Sequence, residues 1–176
     1  FVLFLNAGDE LIIDKIALIN KLKEFYNVNI EVLCFPFHHD FKGRIIHRNA
    51  VQKNRDKLPT SHQAMFFSKE FIKKNNYDLV YKISADFDLY QKAERSKVFL
   101  LSNFEPLCKV ESEGVASTNP YLSYIEYIKI IIFHYQGLTR LYLINKIFLK
   151  FCIIMFLNLF ISKSFILKIR EKFYCM

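Results

Sequence analysis

Phe1 to Leu5 form an unbroken apolar run of β-prone side chains, closed by the polar turn Asn6-Ala7-Gly8-Asp9. A short run apolar on both faces is predicted to be a strand buried in a parallel sheet. Directly after it, Ile12, Ile16, Ile19 and Leu22, with Ile13, recur at helical spacing until Asn27, so a helix within Asp9 to Phe25 is expected to pack on that sheet. Asn29 to Phe35 reads as a second strand. Strand, acidic turn, helix and strand in that order describe an open α/β fold, in which chemistry sits where strands end. Because the run opens at Phe1 as a core strand rather than as a frayed end, the sequence is expected to continue a longer protein.

With 176 residues there is room for one domain with a real core and an appended segment. Pro36 to Pro59 turns polar and basic and reads as a long loop or irregular excursion bordering a binding site. Ser61 to Phe67 is a short strand or turn feeding a helix that Ser68 caps and that runs to Lys74. Tyr81 to Tyr90 is an extended stretch delivering Asp86 and Asp88 ahead of a helix to Lys97, Val98 to Phe104 and Leu107 to Val110 read as strands, and Glu113 to Thr118 is a turn-rich closing segment. The four cysteines show no paired spacing, which argues against a zinc site or a disulfide framework and for a reducing, cytoplasmic setting.

Lys and Arg number 25 against 17 Asp and Glu, a net charge of +8, and most of that excess sits late in the chain. From Leu138 onward Arg140, Lys146, Lys150, Lys163, Lys168, Arg170 and Lys172 face a single acid, Glu171. These charges are interleaved with Ile, Leu and Phe, a pattern that suits a lipid surface and not nucleic acid. Pro120 to Phe133 and Leu138 to Phe173 have helical spacing. The polar-poor stretch between Lys150 and Lys163 is too short to span a bilayer and contains Asn158, so it reads as an in-plane membrane segment or one half of a core helix pair.

Each candidate for chemistry has a structural alternative. Asp9 follows a strand beside Ala7 and Gly8, which let a ligand approach the backbone, and it could equally cap the next helix. Asp86 and Asp88 would share a face on a strand and diverge by roughly 200° at a helix start, so one could work while the other caps or is solvated. His62 could line a cleft or serve as a satisfied structural residue. The cluster of His38, His39, Asp40 and His47 lacks metal-site spacing, since adjacent ligands point in opposing directions.

Four pieces in order, Phe4 to Asp9 (FLNAGD), Ser61 to Phe67 (SHQAMFF), Tyr81 to Leu89 (YKISADFDL) and Gly114 to Thr118 (GVAST), resemble the family 2 glycosyltransferases, especially bacterial enzymes of surface-polysaccharide assembly. The resemblance covers about residues 1 to 118 and implies a partial GT-A sheet, Rossmann-like, with flanking helices, followed by a helical membrane-associated tail from residue 119 to 176. It implies transfer of a sugar from a nucleotide-sugar donor to a saccharide or lipid-linked acceptor, with inversion, at the cytoplasmic face of the cell membrane. Asp9 then holds Mg²⁺ or Mn²⁺ on the diphosphate, Asp86 is the catalytic base, and Asn6, His62, Gln63 and Asp88 line the donor or acceptor pocket. The sequence departs from the family pattern at Asn6 and Gly8, where Asp is frequent, and at Ala85, where the first acid of a pair is expected. The base- and ribose-binding half of such an enzyme should precede Phe1. A non-catalytic membrane-surface remnant of the same fold is the alternative reading.

Overall fold

The computed structural model describes residues 1–41, 43–51, 56–111 and 119–160. The chain divides into two compact units, Phe1–Asn119 and Pro120–Met176. The first is mixed α/β. Its strands are β1 (Val2–Leu3), β2 (Glu10–Leu11), β3 (Val32–Cys34), β4 (Phe37–Phe41), β5 (Arg44–Arg48), β6 (Met65–Phe67), β7 (Val98–Leu100) and β8 (Cys108–Glu111). Its helices are α1 (Lys15–Glu24), α2 (Lys69–Lys74) and α3 (Ala85–Gln91).

These strands form two four-stranded sheets, one in the order β1-β6-β3-β7 and the other β2-β8-β4-β5. Both are mixed: β3 runs parallel to β7 and antiparallel to β6, while β4 runs parallel to β8 and antiparallel to β5. In the first sheet β3 and β6 are buried along their whole length, and alternate residues supply two different cores. Leu33, Phe35 and Phe66 pack with Leu18 of α1 and with Cys108 and Val110 of the second sheet. Val32, Cys34, Met65 and Phe67 face the other way, toward Phe71 of α2 and Leu89 of α3. The first sheet is therefore the middle layer of three, which is why its central strands are apolar on both faces.

Several expectations change. The run from Phe1 to Leu5 yields only a two-residue strand, antiparallel to β6 at the sheet edge, with Phe1 and Leu5 exposed; an edge strand needs only one buried face, so the apolar run did not require a parallel neighbour. Asp9 is not the helix cap. Asp14 is, its carboxylate accepting a 2.8 Å bond from the Ala17 N–H. Helix α1 packs through Leu18, Leu22 and Phe25 rather than through Ile16 and Ile19, which are exposed. The stretch between Pro36 and Pro59 is not a loop in its first half but the β4–β5 hairpin, paired from Phe37↔Arg48 to Phe41↔Arg44. Gly43 has φ +83°, and the Asp40 carboxylate accepts its N–H at 2.7 Å. The acids at 86 and 88 stand in the first turn of α3, not on an extended segment, and that helix ends at Gln91. Gly114 to Thr118 lies outside the described residues.

Ser68 caps α2 as expected, its hydroxyl accepting from the Phe71 N–H at 3.2 Å, and the helix ends at Lys74.

The second unit consists, over its described residues, of α4 (Pro120–His134) and α5 (Gly137–Phe160), which pack on each other, with Phe151 set edge-on to Tyr121 and Tyr124 at 5.8 Å. Gly137, between them, has φ +58°. No helix among the described residues is long and apolar enough to cross a membrane. The sequence beyond Phe160 lies outside the described residues.

Candidate functional site

Between β1 and β2 the chain leaves one sheet for the other, and the four residues Asn6 to Asp9 make that crossing. The Asp9 N–H bonds back to the Asn6 carbonyl at 3.2 Å, closing the turn. Gly8 sits at φ +95°, and a Cβ added there would stand 3.3 Å from a carboxylate oxygen of Glu111, so both backbone and space call for glycine.

Asp9 is held from two sides. Its Oδ2 accepts from Gln63 Nε2 at 2.8 Å and its Oδ1 from the backbone N–H of Glu111 at 3.3 Å. Gln63 is itself fixed: its side chain is buried, its Oε1 accepts from the Ser61 hydroxyl, and its backbone carbonyl takes a 3.3 Å contact from the Cys108 thiol. Burial pushes that thiol up to about 12, and the nearby Asp9 carboxylate adds to the shift, so Cys108 stays protonated and can donate.

One residue before Gln63, at the start of the short 3₁₀ turn His62–Ala64, His62 joins a second chain of polar contacts. Its Nε2 lies 3.2 Å from Asn6 Nδ2, and its Nδ1 lies 3.1 Å from Asp86 Oδ2. An amide nitrogen can only donate, so Nε2 is the acceptor and the imidazole proton sits on Nδ1, aimed at the carboxylate. The other oxygen of Asp86 accepts the Phe87 N–H at 2.8 Å. Both side chains keep partial access to solvent, 26% for His62 and 20% for Asp86, so Asp86 is oriented without being sealed. Tyr77 stands close by, its ring edge-on to Phe4 at 5.1 Å. Burial, with the Asp86 charge adding, pushes its hydroxyl up to about 12.

Of the residues nominated from sequence, Asn6, His62 and Asp86 form one connected group and Asp9 and Gln63 another, joined through the consecutive positions 62 and 63. Asp88 takes no part. It is turned into the fold, 2% exposed, and ion-paired with Lys92 at 2.7 Å, so one turn of α3 presents one carboxylate and buries the next. Tyr77 and Glu111 were not singled out in the sequence. Glu111 arrives through the β2–β8 pairing from a hundred residues away, and no local pattern announces it.

Among the described residues no group of three or more His, Cys, Asp or Glu is gathered as metal ligands. Mg²⁺ on a nucleotide is commonly held by only one or two carboxylates, with phosphate and water oxygens completing the shell. Asp9, with the Glu111 carboxylate over neighbouring Gly8, fits that smaller requirement. His38 and His47 face each other across β4 and β5 with ring centroids 5.7 Å apart, and neighbouring His39 alternates to the other face. Burial, then His47, pushes the His38 imidazole below its ordinary range.

No family model, no curated protein and no solved structure matches this chain.

Proposed function

We propose that the chain is the acceptor-side part of an inverting glycosyltransferase acting on a nucleotide-sugar donor and a saccharide or lipid-linked acceptor at the cytoplasmic face of the cell membrane. The observation that carries this reading is the Asn6–His62–Asp86 group, three residues from separate segments held at 3.2 and 3.1 Å, with Asp86 partly open to solvent. The resemblance nominated all three before their proximity could be seen.

In this reading an acceptor hydroxyl attacks the anomeric carbon of the donor, the bond from that carbon to the diphosphate breaks, and the hydroxyl proton passes to Asp86. His62 holds the carboxylate by its Nδ1–H, and Asn6 holds His62 in the tautomer that makes this bond possible. Neither residue exchanges a proton with substrate. Asp9, with Glu111 beside it, would hold Mg²⁺ or Mn²⁺, which when bound neutralises charge on the departing diphosphate. Gln63 and the Glu111 N–H keep the Asp9 carboxylate oriented for that task.

The reading is tested by incubating the full-length protein with a panel of nucleotide sugars and lipid-linked acceptors and following the product by NMR. Release of nucleoside diphosphate with inverted anomeric configuration is expected. Retained configuration, or no release from any donor, counts against the proposal and favours a non-catalytic remnant of the fold.

A further inference from the structure

Helix α5 has two apolar sides. Leu143 and Ile147 are buried, while Leu138, Leu141, Tyr142, Phe148, Leu149 and Phe156 stand in solvent, from 56% exposed at Phe148 to 85% at Leu138. At 100° per residue these six positions and Ile153 fall within an arc of about 140°, a continuous stripe roughly 27 Å long at 1.5 Å per residue. Soluble monomers seldom leave a row of that extent uncovered.

The charges around the stripe identify what covers it. Lys146 and Lys150, both half-buried, lie on one side of the stripe, about 90° and 130° from its centre line, with stems that cover apolar ground. Between residues 120 and 160 the only acid is Glu126, and it is buried. The sequence continues with Lys163, Lys168, Arg170 and Lys172 against Glu171. A protein partner would be expected to meet acids as well as bases at the rim. A one-signed basic edge beside an acid-free apolar stripe fits anionic phospholipid. The outer face of α4 is less suited, since Lys129 interrupts its shorter row of Tyr121, Ile125 and Ile132.

We infer that α5 lies in the plane of an anionic bilayer surface, with the stripe from Leu138 to Phe156 in the acyl boundary and Lys146 and Lys150 at the headgroups. The inference extends the membrane-bound acceptor of the proposed function, but its test involves no sugar donor, so either can fail alone.

Cys152 provides a reporter. It lies within the stripe and is exposed, whereas Cys34 and Cys108 are buried with thiols that burial pushes upward. In the full chain carrying Cys175→Ser, an environment-sensitive fluorophore on Cys152 should shift to the blue with vesicles of phosphatidylglycerol and phosphatidylcholine. The shift should be much weaker with phosphatidylcholine alone and should fall as salt is added. Leu141→Glu with Leu149→Glu should lower partitioning by roughly 100-fold or more, with helix content unchanged by circular dichroism. No shift with anionic vesicles overturns the inference. So does a shift that depends on protein concentration without lipid and tracks a dimer, which would assign the stripe to a second copy.

Discussion

The two sheets of the first unit contain four strands each and obey different rules. In the β1-β6-β3-β7 sheet the central strands are buried on both faces and feed two separate cores. The β2-β8-β4-β5 sheet gives one face to the core through Cys108 and Val110 and carries on the other a register-matched row, Glu10, Lys109, His38 and His47. Within that row Lys109 pairs with Glu10 at 2.9 Å. One sheet is thus a two-sided framework and the other a one-sided cover. The candidate site forms where the chain passes between them, because the Asn6–Asp9 turn is tied to β8 of the cover by Glu111 and to the entry of β6 in the framework by His62 and Gln63. A polar cluster at such a crossing is held by both layers without interrupting either core.

The contrast breaks most visibly in the core. Phe67→Ala, which removes a buried ring lying nearly parallel to that of Phe71 with centroids 6.0 Å apart, should cost about 3–5 kcal/mol by urea unfolding. Ile45→Ala on the half-exposed hairpin should change stability by less than about 0.5 kcal/mol. Equal losses at the two positions would mean that the sheets are not built differently.

Lys92→Met removes the ion-pair partner of the buried Asp88 carboxylate and should cost about 2 kcal/mol by urea unfolding, short of the full penalty for a buried pair because Lys92 keeps partial solvent contact. Asp86→Asn, two residues earlier, should cost under about 1 kcal/mol in the same assay, since its carboxylate is partly hydrated. The reverse order would show that Asp86 is the structural acid of the pair.

The Tyr77 hydroxyl is raised from 10.0 to about 12, so the folded chain keeps a proton that the unfolded chain releases. Its contribution is complete below about pH 10 and disappears as pH rises toward 12. Tyr77→Phe should therefore flatten the alkaline fall in stability by about 1–2 kcal/mol, and an unchanged fall would place Tyr77 in solvent. A loss of about 1 kcal/mol by urea unfolding is expected for Ser68→Ala at α2, through loss of the bond to the Phe71 N–H.

Local rules made some of this legible. Ser68 as a cap, α2 ending at Lys74 and the β8 region could be read from sequence because each depends on neighbours along the chain. The β4–β5 hairpin could not: Phe-His-His-Asp-Phe and Arg-Ile-Ile-His-Arg lack a clean two-residue alternation, and parallel pairing with β8, some seventy residues later, keeps β4 extended. Helix α1 offered two apolar sides, and tertiary packing selected the one with Leu18. At the site, the residues themselves nominated Asp9, His62 and Asp86 and the family resemblance added Asn6 and Gln63, but their division into two connected groups depends on the turn between sheets. Spacing alone did not say which of Asp86 and Asp88 would work; the pitch of α3 separates them, turning one toward solvent and the other toward Lys92.

The proposed role of Asp86, held by His62, as the group that takes the acceptor proton is decided by comparing Asp86→Asn with wild type in the transfer assay while measuring donor affinity separately. Transfer should fall by at least ~100-fold with donor affinity unchanged. Transfer at the wild-type rate would contradict the assignment of Asp86 as base.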